Sequence, residues 1–470
     1  MQNGSYRPVT SRATAMNKRL RLLSFLALLL PLTASAGTET LIDLLAIPGS
    51  AGLGAMMRSE QSPYKGVGVS NDLVPLYIYE GNRVFLHGTR AGLKLVDVER
   101  YKFDLFLDYR FEGFPYDNTP TSLAGMSVRK SSTDLGIAYR YRSDWGNLDA
   151  EILHDAGNVS KGSEFRLGYN TDWQSGRWHV RPSLTLSWRN AQLNNYYYGV
   201  RQGEATLLHP EYLPGAGTDL RLGLYGYYEL SKRWRLLGGV GVNLLDAKVR
   251  MSPVVRGGAQ PTVMIGAAYD FGSHKAYSEP RLPLHLKVLT GRSTDCNLLP
   301  VMSLRCGSTQ TPDNTRITAV ELGRPLVERV NGWPLDFVAY LGLLHHDENH
   351  LQPDGWQLDA YIKAYYYGFP WSEHVRTRLG MGAGFSLAQR VPYVEERDQA
   401  RRGRGTSRLL NYLDPSIDVS VGDLIGAHAL KETYFGIGAS HRSGIFGTSA
   451  MLGNINGGSN FLYTYIETKL

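Results

Sequence analysis

From Tyr101 the chain alternates: Tyr101, Phe103, Leu105, Leu107 and Tyr109 are apolar, and Lys102, Asp104, Asp108 and Arg110 stand between them. A period of two is that of a β-strand with unlike faces. Trp178, Val180, Pro182, Leu184, Leu186 and Trp188 repeat the pattern against His179, Arg181, Ser183, Thr185, Ser187 and Arg189, and weaker versions recur over 135–142, 165–170, 220–229 and 234–244. A soluble β-sandwich alternates as well. Charge separates the two readings, because a small dry core would have to pair each of Lys102, Asp104, Asp108, Arg181 and Arg189, whereas a polar lumen hydrates them. Trp178 and Trp188 close both ends of an apolar row, where an interfacial girdle sits. The expected fold is all-β, a transmembrane antiparallel β-barrel.

About twelve alternating segments lie between Gly52 and Phe271 and about eight between Leu282 and Leu470, both even counts, as closure of a bacterial barrel requires. Two barrels in tandem are expected, over residues 37–272 and 282–470, joined by a polar linker at 273–281. One barrel of about twenty strands is the rival arrangement. Polar stretches at 112–133, 190–218 and 390–409 have the length of extracellular loops rather than periplasmic turns. The chain ends in an alternating segment, 461–470, whose last residue is Leu470 where such barrels usually carry an aromatic.

Before the first strand, Lys18, Arg19 and Arg21 precede an apolar run from Leu22 to Leu32, and Ala34-Ser35-Ala36 ends it. This is the pattern of a secretory signal peptide, residues 1–36, and Met16 is a candidate start. After it, no apolar run reaches the length of a membrane helix, and a chain that spans a bilayer without helices must close its sheet. The formal charge of +7 belongs mostly to the leader, whose five basic residues leave 45 basic against 43 acidic, or +2. That balance excludes a nucleic-acid partner. Cys296 and Cys306 are the only cysteines, and in an oxidising periplasm they are candidates for a disulfide, with two free thiols as the other state. No phosphate-binding loop, cysteine metal site or hydrolase elbow is present, and no cofactor is expected.

Residues 52–272 carry Gly52-Leu-Gly-Ala55, Pro63-Tyr-Lys-Gly66, Leu73-Val-Pro-Leu-Tyr-Ile-Tyr79, Tyr197-Tyr-Gly-Val200, Met251-Ser-Pro-Val254 and Tyr269-Asp-Phe271, in that order. This half resembles the MipA/OmpV family of outer-membrane proteins. The resemblance implies a barrel in the outer membrane of a Gram-negative bacterium, and in some members a scaffold between murein hydrolases and synthases. The motif residues themselves suit turns, lumen clearance and girdles rather than catalysis.

Near the other end, His441 and Ser443 fall on one face of a strand, the apolar face that meets lipid. An imidazole two residues from a hydroxyl is within reach of the arrangement in which histidine takes the serine proton and the alkoxide attacks an acyl carbonyl. Polar side chains facing hydrocarbon are costly unless they serve a function or lie near the interface. His441-Arg-Ser443 followed by Asn456-Gly-Gly-Ser-Asn460 resembles the PagL-type lipid A deacylases, eight-stranded outer-membrane barrels. The resemblance implies Ser443 as nucleophile, His441 as base and Asn460 near the position of the orienting acid, with Glu467 or Glu432 as substitutes in another strand arrangement. Gly444 stands where that family usually has Asn, which weakens the oxyanion site. An inherited strand without activity is the plain alternative.

Two further clusters are weaker. His345, His346, Asp347, Glu348 and His350 follow no fixed ligand spacing, and a solvated loop accounts for them. Arg397, Arg401, Arg402, Arg404 and Arg408 either meet lipopolysaccharide phosphates or form a flexible basic loop. Three functions follow: an envelope scaffold bound to a murein hydrolase or synthase, a lipid A acyl-ester hydrolase acting on outer-membrane lipid and lipopolysaccharide, or a small-solute pore.

Overall fold

The structure is a computed structural model that describes residues 41, 43–45, 50–114, 120–271, 283–303, 305–309, 311–403, 405–444, 455 and 457–470. The expected signal peptide, the 273–281 linker and Asn456 lie outside the described residues. Thirteen strands make the first sheet: β1 (Ala51–Gln61), β2 (Val69–Glu80), β3 (Val84–His87), β4 (Arg90–Asp97), β5 (Tyr101–Arg110), β6 (Ser132–Ser143), β7 (Gly146–Asp155), β8 (Ser163–Asn170), β9 (Trp173–Ser175), β10 (Trp178–Arg189), β11 (Gly217–Glu229), β12 (Trp234–Leu244) and β13 (Ala259–Asp270). β8 and β9 both pair with β10 in one register, so they act as one bent strand, and the β10–β11 and β13–β1 pairings close a twelve-strand ring. The second sheet is a closed eight-strand barrel: β14 (His285–Ser293), β15 (Arg316–Val327), β16 (Leu335–Asp347), β17 (Gly355–Tyr366), β18 (Thr377–Ala388), β19 (Leu409–Ser420), β20 (Thr433–Ser443) and β21 (Asn460–Lys469). Two barrels, not one of twenty strands, are formed.

All of the neighbouring pairs are antiparallel, and each strand puts one residue in two outward. Short turns at 98–100, 144–145 and 230–233 mark the periplasmic end, and the longer connections mark the extracellular one. Trp145, Tyr169, Trp178, Tyr228, Trp234 and Tyr269 ring the periplasmic end of the first barrel in three aromatic pairs, stacked, tilted and edge-to-face in turn, with centroids 4.9–6.0 Å apart. This is the interfacial girdle that the alternation predicts.

The lumen is not an open channel. Every inward charge singled out above has a partner: Lys102 lies 3.2 Å from Asp104, Arg90 3.1 Å from Asp108, Arg189 2.6 Å from Glu112, and Arg181 bonds Asp172. Leu41, Asp43, Leu44 and Leu45 sit among them, with Leu41 and Leu45 buried against Met56, Val74, Leu76 and Leu237, and Asp43 accepting from His87 and Arg140 at 2.9 and 3.0 Å. A charged cavity of about 60 Å³ remains beside Asp43. The pore expected as a third function therefore meets a lumen filled by paired charge and an internal plug. The second barrel is filled likewise, around Lys287, Lys363, Asp414, Arg378 and Glu467, as eight strands leave room only for side chains.

The barrels touch along their outer faces. At the periplasmic end Ala51 and Phe271 pack on Leu326, Val330, Phe337 and Ile362, with the Phe271 and Phe337 rings 4.0 Å apart. Higher up, β3 is only four residues long, so beyond the Gly88 N–H bond to the Tyr77 carbonyl β2 pairs with β1 alone. There Tyr77 points out of the first barrel, packs on Phe385 and donates its hydroxyl to Asn411 Oδ1 at 2.9 Å. Apolar contacts in a bilayer gain little over lipid, so the hydrogen bond, worth about 1 kcal/mol, is the directional part of this seam.

Candidate functional site

β20 sits between β19 and β21, and its outward row runs Thr433, Phe435, Ile437, Ala439, His441, Ser443. Tyr434, Gly436, Gly438, Ser440 and Arg442 face the lumen. Arg442 fixes this register: fully buried, it bonds Glu395 at 3.0 Å and Ser386 at 2.8 Å from inside. A slip of one residue would bring it to the lipid side. His441 and Ser443 thus stand at the extracellular end of the outer face, level with the outer leaflet.

His441 lies opposite Asn460 on β21, and its Nδ1 is 2.6 Å from Asn460 Oδ1. An amide oxygen accepts only, so Nδ1 carries the proton and Nε2 holds the free lone pair. That tautomer is the one a general base needs. Ser443 lies opposite Asn411 on β19, so four polar residues cross three strands on one outer face. Glu467 takes no part: it faces the lumen, bonded to Arg378 and His285. Glu432 lies at the periplasmic end, paired with Arg376 and Lys469. Neither acid substitutes for Asn460 in this strand arrangement.

Cys296 and Cys306 are joined, and the loop they close holds the short helix Leu298–Met302, which lies against β20. Within the 390–409 connection, Tyr393–Arg401 form a helix whose buried Glu395 and Gln399 enter the barrel mouth, and Arg404 lies outside the described residues. Arg397 is held by Asp295 and Asp313, so the expected flexible basic loop is, in part, a tethered lid. The histidine cluster is dispersed. His346 points inward to Gln357 at 2.9 Å while His345 faces out against Trp356, and among the described residues no group of acids, histidines or cysteines is placed to hold a metal ion.

In the first barrel the ordered motifs meet. Tyr64, Tyr197, Tyr198, Val200 and Val254, from three separate stretches, pack with Phe114, Leu193 and Leu245 into an apolar lid over the extracellular mouth. Tyr64 donates to the Tyr197 carbonyl at 3.0 Å, Lys65 to that of Val254 at 2.9 Å, and Ser252 to that of Tyr198 at 2.5 Å. These residues are lid builders rather than girdle or clearance residues. No alternation marks them; their recurrence of Tyr and Pro in loops was the available signal.

Arg129 clamps the lid through Glu204 at 2.7 and 2.9 Å. Burial works to raise that carboxyl, but the hydrogen bonds from Arg129, Ser127 and Arg201 outweigh it and hold Glu204 down at about 2, against 4.5 ordinarily. A depressed folded value means the contact stabilises fully above pH 4.5 and is lost as pH falls towards 2. Pepsin nicking within 199–216, normalised to an unfolded substrate, is expected to rise over that interval. Glu204→Gln is expected to be nicked equally throughout, and an unchanged pH dependence in that variant would assign the opening elsewhere.

Filled lumens, girdle, seam and outward polar row define a two-barrel outer-membrane protein. Residues 52–271 match the family model described as MltA-interacting protein MipA. YiaT of Escherichia coli K12 is 25% identical over 242 residues, covering 50% of this chain and 98% of its own. The outer membrane protein OmpV of Vibrio cholerae is 29% identical over 160 residues, 34% of this chain and 62% of its own. The MltA-interacting protein of Escherichia coli K12 is 24% identical over 231 residues, 47% of this chain and 91% of its own. The first barrel is thus similar to proteins of the MipA/OmpV type, and the protein resides in the outer membrane of a Gram-negative bacterium.

Proposed function

We propose that the second barrel is an ester hydrolase acting on an acylated lipid of the outer leaflet, with lipid A as substrate. The observation that carries this is the His441 Nδ1–Asn460 Oδ1 contact of 2.6 Å on the lipid-facing side of β20, two residues from Ser443. Polar side chains at such a position are expensive without a use. In this reading Ser443 Oγ attacks the ester carbonyl carbon while its proton passes to His441 Nε2, and the carbonyl π pair moves onto oxygen. Collapse expels the lipid hydroxyl, which takes the proton from Nε2. Water then repeats the attack on the acyl-serine, releasing the fatty acid and restoring Ser443. Asn460 keeps the imidazole in the base tautomer but brings no charge to stabilise the imidazolium, so a slower enzyme than an acid-containing triad is expected.

Mass spectrometry of lipid A from cells expressing the wild type and Ser443→Ala tests it, with barrel insertion checked in both. Loss of one acyl chain in the wild type alone is expected; unchanged lipid A in both sinks the reading for that substrate.

A second reading is favoured by the relative named MltA-interacting protein and by the plugged lumen of the first barrel. In it the first barrel is an envelope scaffold that binds a murein hydrolase or synthase from the periplasmic side. It needs neither His441 nor Ser443, and it stands in front if lipid A is unchanged.

A further inference from the structure

An acyl transfer needs donors where the carbonyl oxygen gains charge, and removing one costs about 10²–10³-fold in kcat. The position after the nucleophile offers none here. Gly444 has no side chain, and its backbone N–H is spent on the Gly457 carbonyl at 3.1 Å. The Arg442 N–H is likewise taken, by the Ser459 carbonyl at 3.0 Å.

We infer that Asn411 supplies the missing donor and that Tyr77, from the other barrel, aims it; this rests on the ester-hydrolase reading above. Asn411 is the cross-strand partner of Ser443 on the outward face, where directly opposed residues have Cβ atoms about 4.5–5.5 Å apart. Its Oδ1 accepts from Tyr77 Oη at 2.9 Å. With the oxygen so held, the Nδ2 amide group, two N–H donors, turns away from Tyr77. Asn411 is only 5% exposed, so the donor works in a dry setting where its field is least screened.

The placement suits the step. Asn411 flanks Ser443 from β19, while His441, oriented by Asn460 on β21, stands two residues along β20 on the same outward face. As Ser443 Oγ bonds the carbonyl carbon and His441 Nε2 takes its proton, the π pair collects on the oxygen facing Asn411 Nδ2. The pair returns when the lipid hydroxyl leaves. Asn411 moves no proton and forms no bond; it binds the oxyanion. Tyr77 touches no reacting atom and is a positioning residue. The consequence is that the site of one barrel is completed by the other, across the stretch where β3 is short and β2 lacks a strand on one of its two sides.

The plain competitor is a seam hydrogen bond that holds the barrels together and nothing more. Kinetics separate the two. The full-length protein in detergent micelles, with purified lipid A as probe and fatty-acid release as readout, is compared with Asn411→Ala, Tyr77→Phe and, as a blank, Ser443→Ala. Asn411→Ala is expected to lower kcat about 10²–10³-fold with KM within about twofold, and Asn411→Ser, which keeps one donor, to recover part of it. Tyr77→Phe leaves the amide but frees its rotation and is expected to cost about tenfold in kcat. If Asn411→Ala does not fold, Tyr77→Phe alone decides, since it retains every group but one hydroxyl. Unchanged kcat in Asn411→Ala, or in Tyr77→Phe where that variant decides, with Ser443→Ala inactive, overturns this inference and keeps the hydrolase. A wild type no faster than Ser443→Ala overturns both.

Discussion

On the ester-hydrolase proposal, fatty-acid release by the purified protein is expected to fall about 10⁴–10⁶-fold in Ser443→Ala, by a comparable factor in His441→Ala, and by no further amount in the double variant. The reason is that nucleophile and base act in one event. An alkoxide forms only as His441 Nε2 takes the serine proton, so once either group is gone the other has nothing to do. Losses that multiply would mean that the two residues act independently and would sink the shared mechanism. Asn460→Ala removes the acceptor 2.6 Å from Nδ1 but leaves the imidazole. Its expected loss is smaller, because the base tautomer is then populated part of the time rather than never.

Asp414→Ala is expected to cost the second barrel about 3–5 kcal/mol. Asp414, Lys287 and Lys363 are each fully buried in the lumen, with the carboxylate 3.2 Å from one ammonium and 2.8 Å from the other, and Tyr463 donates to the same carboxylate. Without it, Lys287 keeps Glu321 at 3.0 Å, but the buried Lys363 ammonium loses the carboxylate it bonds. Asp414→Asn keeps an acceptor and is expected to cost less. Asp414→Ala combined with Lys363→Met removes a matched pair and is expected to recover most of the loss, since a buried ion pair replaced by apolar groups is often neutral. Denaturant unfolding in lipid vesicles, followed by tryptophan fluorescence, reads all three. A midpoint unchanged in Asp414→Ala would show that the lumen is hydrated there.

The strands were legible because alternation is a local property. Tyr101–Arg110 and Trp178–Arg189 are strands in the structure with the facing expected of them, and the counts of twelve and eight agree with the two rings. The reading of inward charge as a sign of a wet lumen was right about direction and incomplete about consequence. Lys102, Asp104, Asp108, Arg181 and Arg189 are inward, yet each is paired, because antiparallel neighbours bring opposite charges within reach across strands that no local pattern links. The lid escaped notice for the same reason: Tyr64, Tyr197 and Val254 are far apart in the chain and meet only when the barrel closes. So did the occupation of Arg397 by Asp295 and Asp313.

At the candidate site, His441, Ser443 and their shared outward face follow from a period of two and were visible in a single stretch of chain. Asn460 as the partner of His441 is a matter of β20–β21 register, and the exclusion of Glu467 follows from the same register, which turns that side chain inward. Asn411 required more: the β19–β20 pairing, and then the approach of a second barrel that places Tyr77 against it. The sequence by itself determined what alternation and composition can encode, namely an exported all-β chain, its membrane face and the residues on that face. Only the tertiary structure decided which charges neutralise one another, what closes each lumen and which side chains gather around Ser443. Those are outcomes of strand register and barrel packing, and they depend on contacts between residues that the chain holds far apart.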